Sequence, residues 1–247
     1  MPLNILMTRS ESDASQQDSI ALAKALTQQG GRVHHCPVFL LTPVPGPLSA
    51  SSPLKLKGEE DLVFVTRLSV EIFKKSGINL PSTTRCFAVG PGTAETFKHY
   101  FPAHPVKYPQ SSEDQNSEGL LKLREFESVS GRRIFILRGD SGREYLADEL
   151  RARGATVEYV TCYERRVNPE FHRFWSQPAP LFVPDVVVLT STESLRVFLE
   201  TPRSMEFKDP RVTVLPGRME ALAREYGYSK TIRIESAGNE GIVQGLK

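Results

Sequence analysis

ELRARGATVEYVTCY, residues 149–163, decides the fold, because the chain has already used its pattern once. ALTQQGGRVHHCPVF (25–39) matches it at an offset of 124, setting Leu26 against Leu150, Gly30 against Gly154, Val33 against Val157 and Phe39 against Tyr163. Each copy reads as the end of an amphipathic helix, a glycine that stops it, and a β-branched strand. Three more pairs follow: LVFVTRLSVEIF (62–73) with VVVLTSTESLRVF (186–198), RCFAVGPGTAETF (85–97) with RVTVLPGRMEALA (211–223), and SEGLLKL (117–123) with NEGIVQGL (239–246). All offsets fall between 122 and 126, about half of 247 residues, so the chain carries a duplicated α/β unit.

Outward from these pairs, nine short apolar runs read as strands: 3–8, 32–41, 61–66, 85–90, 132–139, 156–163, 185–190, 211–216 and 231–236. Helical patterns separate most of them, as in REYLADELRARG (143–154). Strand–helix alternation predicts parallel sheets with helices on both faces. PVPGPLSASSPLKLKG (43–58) is too rich in Pro, Ser and Gly for either element and reads as a loop.

Composition limits the function classes. The net charge of +2, from 31 basic and 29 acidic residues, does not mark a nucleic-acid binder. Cys36, Cys86 and Cys162 are odd in number and lack C-x-x-C spacing, which points to reduced thiols in the cytoplasm. No run approaches the roughly 18 to 20 apolar residues of a membrane span, and the N-terminus does not read as a secretory signal. His34 and His35 are adjacent on a strand, point to opposite faces and cannot share a metal.

Candidate site residues gather where strands end. VGPGTAETF (89–97), with Gly90, Gly92 and Thr93, opens a helix whose amides could face an anion, yet it falls short of a dinucleotide fingerprint. LRGDSGREYL (137–146) sets Arg138, Gly139 and Arg143 in a tight turn, either a capped charged turn or a carboxylate site. Eight arginines between Arg132 and Arg166 make this the most basic part of the chain. Hydroxyls recur at strand ends as Thr8, Thr66, Thr190 and Ser191, where helix capping and ligand contact are both open.

Taken together, LMTR (6–9), DLVFVTRLSVEIF (61–73), FAVGPGTAETF (87–97), SEGLL (117–121), the long stretch 136–166 and DVVVLTSTESLRVF (185–198) resemble the uroporphyrinogen-III synthase family. The resemblance implies two similar α/β domains joined by a two-segment extended linker, with the cleft between them. The first would combine residues 1–37 with 168–247, the second would span 41–164, and the crossings would lie near 36–41 and 161–168. It implies a cofactor-independent lyase with no metal, closing hydroxymethylbilane into uroporphyrinogen III with inversion of the last ring and loss of water. Tyr163 matches the family's tyrosine at the domain crossing and is the implied catalytic group. The substrate's eight carboxylates would meet Thr8, Arg9, Thr66, Arg67, Gly90, Gly92, Thr93, Ser117, Arg138, Gly139, Thr190, Ser191, Gly217 and Arg218. Either Thr66 or Arg67 fills the family's serine position, and Met219 stands where relatives often have threonine. A cytoplasmic monomer without nucleic-acid or membrane partner is expected. The alternative is a two-lobed binding or regulatory module that closes on a small anion without chemistry.

Overall fold

RVHHCPVFLL (32–41) breaks at Pro37 into two strands of different sheets: β2 (Arg32–His35) and β3 (Phe39–Pro43). Proline has no N–H to give a ladder, which favours a break at this position. A computed structural model describes residues 2–10, 12–44, 48, 54–111, 116–178 and 180–247. Of the loop expected over 43–58, residues 45–47 and 49–53 lie outside the described residues, and 54–57 carry no regular element.

The chain divides into two units, one of Met1–Glu11, Ser15–Leu41 and Arg166–Lys247, the other of Ser12–Ala14 and Thr42–Arg165. The first unit contains β1 (Asn4–Met7), α1 (Asp13–Gln28) from Ser15 onward, β2, α6 (Pro169–Trp175), β9 (Val186–Val188), α7 (Thr192–Glu200), β10 (Arg211–Val214), α8 (Arg218–Glu225), β11 (Thr231–Arg233) and α9 (Asn239–Gly245). Its sheet runs β11-β10-β9-β1-β2, with every recorded pairing parallel. Side chains alternate between faces: Leu6, Val187 and Val212 pack with Trp175, Phe198 and Leu222 of α6 to α8, whereas Ile5, Met7 and Val188 pack with Leu22 and Leu26 of α1 and Ile242 of α9. Apolar residues on both faces are what a parallel sheet between helix layers requires.

The second unit follows the same plan. It holds β4 (Asp61–Phe64), α2 (Arg67–Lys75), β5 (Arg85–Ala88), α3 (Pro91–Tyr100), β6 (Val106–Lys107), α4 (Ser117–Leu120), β7 (Arg133–Gly139), α5 (Tyr145–Ala152) and β8 (Thr156–Val167) as far as Arg165. The order is β3-β8-β7-β4-β5-β6, so β8, β7, β4, β5 and β6 correspond to β2, β1, β9, β10 and β11. Phe64, Phe73, Phe97 and Leu137 fill one face, and Val63, Ile134, Leu146 and Leu150 the other.

The duplication extends to backbone detail. Gly30 and Gly154 end α1 and α5 with φ of +89° and +86°, a conformation that glycine adopts without steric cost. The next amides bond back alike, Gly31 to Leu26 O at 3.0 Å and Ala155 to Leu150 O at 3.1 Å. The run expected to end at Tyr163 continues as β8 to Val167, until Asn168 caps α6 and Pro169 takes its first turn.

Candidate functional site

In open α/β sheets, ligands bind beyond the carboxyl ends of the strands where the winding reverses. In the second unit that point lies between β4 and β7, whose ends supply Val65–Thr66 and Arg138–Gly139. A cavity of about 220 Å³ opens there, closed in by the 141–143 turn, Ser117 at the start of α4, and Tyr159 and Tyr163 of β8.

Tyr163 is placed by two constraints. Gly139, its register partner on β7, leaves space for the ring: a Cβ there would sit 2.8 Å from Cε2. The phenol Oη donates to Thr66 Oγ1 at 3.3 Å. Thr66 is itself fixed as the N-cap of α2, its Oγ1 accepting from Ser69 N at 3.2 Å while Ser69 Oγ donates to Thr66 O at 2.6 Å. Burial raises the Tyr163 pKa above the ordinary tyrosine value of 10.0, so the phenol keeps its proton at neutral pH.

Arg138 supplies the cavity's buried cation and is 8% exposed. Its guanidinium lies over the Tyr159 ring, 4.6 Å from the centroid, and Nη1 donates to Glu144 Oε1 at 3.2 Å and to Arg143 O at 3.4 Å. Tyr159 Oη donates to the other Glu144 oxygen at 2.6 Å. Burial, then the bond to Glu144, pushes Tyr159 up to about 12, and the same bond lowers the Glu144 pKa. Arg143 pairs with Glu118 at the rim.

Five expected residues therefore share one cavity: Thr66, Ser117, Arg138, Gly139 and Tyr163. Tyr159 and Glu144 were not expected. Spacing gave no signal: the register shifts between Arg138 and Gly139, so Tyr159 pairs with Ile136 and Tyr163 with Gly139, on opposite faces of the sheet. Gly90, Gly92 and Thr93 form the first turn of α3, and Arg67 leans on it: a Cβ on Gly92 would lie 2.5 Å from Arg67 Nη2.

The remaining expected residues sit in the first unit. Thr8 is buried and donates to Val188 O at 2.7 Å, so its hydroxyl serves the sheet. Arg9 Nη1 donates to Asn239 Oδ1 at 2.7 Å. Ser191, with half-buried Thr190 before it, caps α7 through Ser194 just as Thr66 caps α2 through Ser69. Ser191, Gly217 and Arg218 line an open groove of about 520 Å³. The Gly217 amide already donates to Glu220 at 3.2 Å, so an anion there would have to displace that carboxylate.

A sequence profile described as uroporphyrinogen-III synthase HemD matches residues 20–244. The chain belongs to the uroporphyrinogen-III synthase family.

Among relatives, the uroporphyrinogen-III synthase of Escherichia coli K12 is 30% identical over 259 aligned positions, covering 99% of this chain and 100% of that protein. That of Salmonella typhimurium is 32% identical over 203, covering 76% and 79%. Solved structures agree in fold: the Helicobacter pylori uroporphyrinogen-III synthetase superposes with a TM-score of 0.62 at 13% identity over 100% of both chains. A mutant Thermus thermophilus uroporphyrinogen III synthase gives 0.57 at 17% over 99% and 98%. Members of the uroporphyrinogen-III synthase family are enzymes that cyclise hydroxymethylbilane without a cofactor. Within this member of the synthase family, the matching caps make Thr66 the counterpart of Ser191, while Arg67 begins α2 and turns toward α3.

Proposed function

We propose that this chain closes hydroxymethylbilane into uroporphyrinogen III, with the hydroxymethyl-bearing end of the substrate in the cavity of the second unit. Family membership supports the reaction, and the half-buried phenol of Tyr163, hydrogen-bonded to the Thr66 cap, carries the assignment of the site. A cavity of about 220 Å³ falls below the roughly 300–1,000 Å³ of pockets that enclose a whole ligand. It therefore takes one terminal ring with its acid arms and leaves the rest of the chain of rings outside.

Tyr163 acts as general acid. Its Oη–H gives a proton to the departing hydroxyl, the C–O bond breaks, and water leaves with the bond's electron pair, so the terminal ring becomes an azafulvene cation. The last ring attacks this cation through its substituted carbon. The resulting spiro intermediate fragments and recloses with that ring inverted. Restoring pyrrole aromaticity releases one proton, which returns to the phenolate and balances the one spent. General acid donation contributes about 10²–10⁴ in rate, and holding the flexible chain in its reactive fold supplies the rest. Arg138 and the amides at the starts of α2 and α4 meet carboxylates of the bound ring, and Ser117 adds a hydroxyl. The strand-end and helix-start residues outside this cavity, Arg9, Arg67, Gly90, Gly92, Thr93, Thr190, Ser191, Gly217 and Arg218, are assigned to the remaining acid arms, while Thr8 is spent on the sheet. We take the protein to be a monomer and to be cytoplasmic, the second of these favoured by three buried free thiols. Among the described residues, no helix is long and apolar enough to cross a membrane.

The test supplies freshly generated hydroxymethylbilane and separates the porphyrin isomers after oxidation. Isomer III is expected. Isomer I alone, the spontaneous product, would overturn the proposal.

A further inference from the structure

The geometry around Arg138 assigns Tyr159 and Glu144 roles in recognition: Tyr159 is a positioning residue that holds the guanidinium open toward the cavity, and Glu144 is a counter-ion that a substrate carboxylate displaces. The inference rests on the function proposed above and concerns how that site reads an acid arm.

Three observations carry it. First, the guanidinium is almost buried yet incompletely used. Both of its hydrogen bonds leave from Nη1, at 3.2 and 3.4 Å, and among the described residues neither Nε nor Nη2 donates to a partner. Arginine presents its donors as a planar fork that matches a carboxylate in a two-point fashion, so the free side of this fork is a preformed carboxylate seat.

Second, the group is held in place by something other than an opposing charge. The Tyr159 ring supports it from one face at 4.6 Å, and Gly142, with φ of +144°, brings bare backbone against it: a Cβ there would lie 2.8 Å from Nη2. A cation on an aromatic face stays in position while its N–H groups remain available in the ring's plane.

Third, the one carboxylate that does touch Arg138 is anchored elsewhere. Glu144 has an exposed side chain, meets Nη1 through a single oxygen, and takes its shorter bond, 2.6 Å, from Tyr159 Oη. A counter-ion in this arrangement can give up the arginine and keep the tyrosine. The other charges nearby are Arg151, 5.7 Å from the Tyr159 ring centroid, and the Arg143–Glu118 pair. None of these brings a second carboxylate to Arg138 among the described residues.

Kinetics on hydroxymethylbilane separate this role from a structural one. Glu144→Gln removes the competing charge and is expected to lower KM about threefold. Tyr159→Leu removes the support and is expected to raise KM about tenfold, with a smaller effect on kcat. A Glu144→Gln variant whose KM rises or stays unchanged overturns the inference, as does a Tyr159→Leu variant whose loss falls on kcat alone. Glu144 is exposed, so its variant remains informative even if Tyr159→Leu fails to fold. If the wild-type protein produces only isomer I, the proposed function itself fails. If the wild type produces isomer III and Glu144→Gln leaves KM unmoved, only the recognition roles fail.

Discussion

Gly139 and Tyr163 are register partners on β7 and β8, and the tyrosine ring occupies the space that a side chain on Gly139 would need. A Cβ at this position would meet Cε2 at 2.8 Å, Cζ at 3.0 Å and Oη at 3.3 Å. Gly139→Ala is therefore expected to push the phenol away from Thr66 and lower kcat about tenfold. The accompanying overpacking should cost about 1–3 kcal/mol of stability, read from urea unfolding. In a Tyr163→Phe background the same change should reduce kcat much less, because the misplaced oxygen is already gone. Equal effects in both backgrounds would show that Gly139 acts through packing alone.

Replacing Tyr163 by Phe keeps the ring and removes the proton donor. Turnover should fall by about 10²-fold, the low end of general acid contributions, since positioning is retained. Because burial raises the Tyr163 pKa, the phenol titrates above 10.0 and the rate should show no loss from its ionisation between pH 7 and about 9. Wild-type turnover by Tyr163→Phe would remove the tyrosine from the mechanism.

The three cysteines make stability sensitive to alkali. Burial raises Cys36 from 9.0 to about 11, and Cys86 and Cys162 to about 12. The folded chain favours the neutral thiols, so their stabilising contribution is complete below pH 9 and is lost as pH rises toward 11 and 12. The urea midpoint should fall between pH 8 and pH 10.5, and replacing Cys86 and Cys162 by Ala should flatten that decline. An identical slope in the variant would place the pH dependence in other groups.

Asp61, fully buried at the start of β4, accepts from Arg85 of β5 and Arg132 next to β7. Asp61→Asn keeps the shape and leaves two guanidinium groups around a neutral amide. The two arginines left behind are about a third exposed, so solvent screens them and the loss is about 1–3 kcal/mol, below that of a fully buried pair. A loss below about 1 kcal/mol in chemical denaturation would mean that solvent, reaching both arginines, already carries most of their charge.

Strand identity was legible in the sequence wherever an apolar run ended in Gly or a hydroxyl residue, and the pairing of Gly30 with Gly154 survived into matching φ values. Runs containing a breaker were not legible: Pro37 lies inside an unbroken apolar pattern, and hydropathy does not register a missing N–H. The two-residue strand β6, Val106–Lys107, is too short to carry a period. In the site, Thr66, Arg138 and Gly139 could be named because each belongs to a strand-end or helix-start motif, whereas Ser117 and Tyr163 were named through the resemblance to the family. Tyr159 and Glu144 could not, because their importance lies in bonds between β8 and the turn before α5, which no local pattern encodes.

The insertion of Thr42–Arg165 between β2 and α6 has a consequence for the order in which the protein is made. As the chain leaves the ribosome, β1 and β2 emerge first, but the partner on the other side of β1 is β9, which begins at Val186. The inserted unit is nearly continuous in sequence and can close its own sheet as soon as β8 is complete. Until β9 arrives, Ile5, Leu6 and Met7 stand on an open edge of an apolar, two-sided sheet, the kind of edge that invites wrong pairing. Nascent chains stalled between Val167 and Val186 should thus be the most dependent on a chaperone, and a synonymous change that lengthens a pause there should reduce the yield of folded protein without altering a single residue.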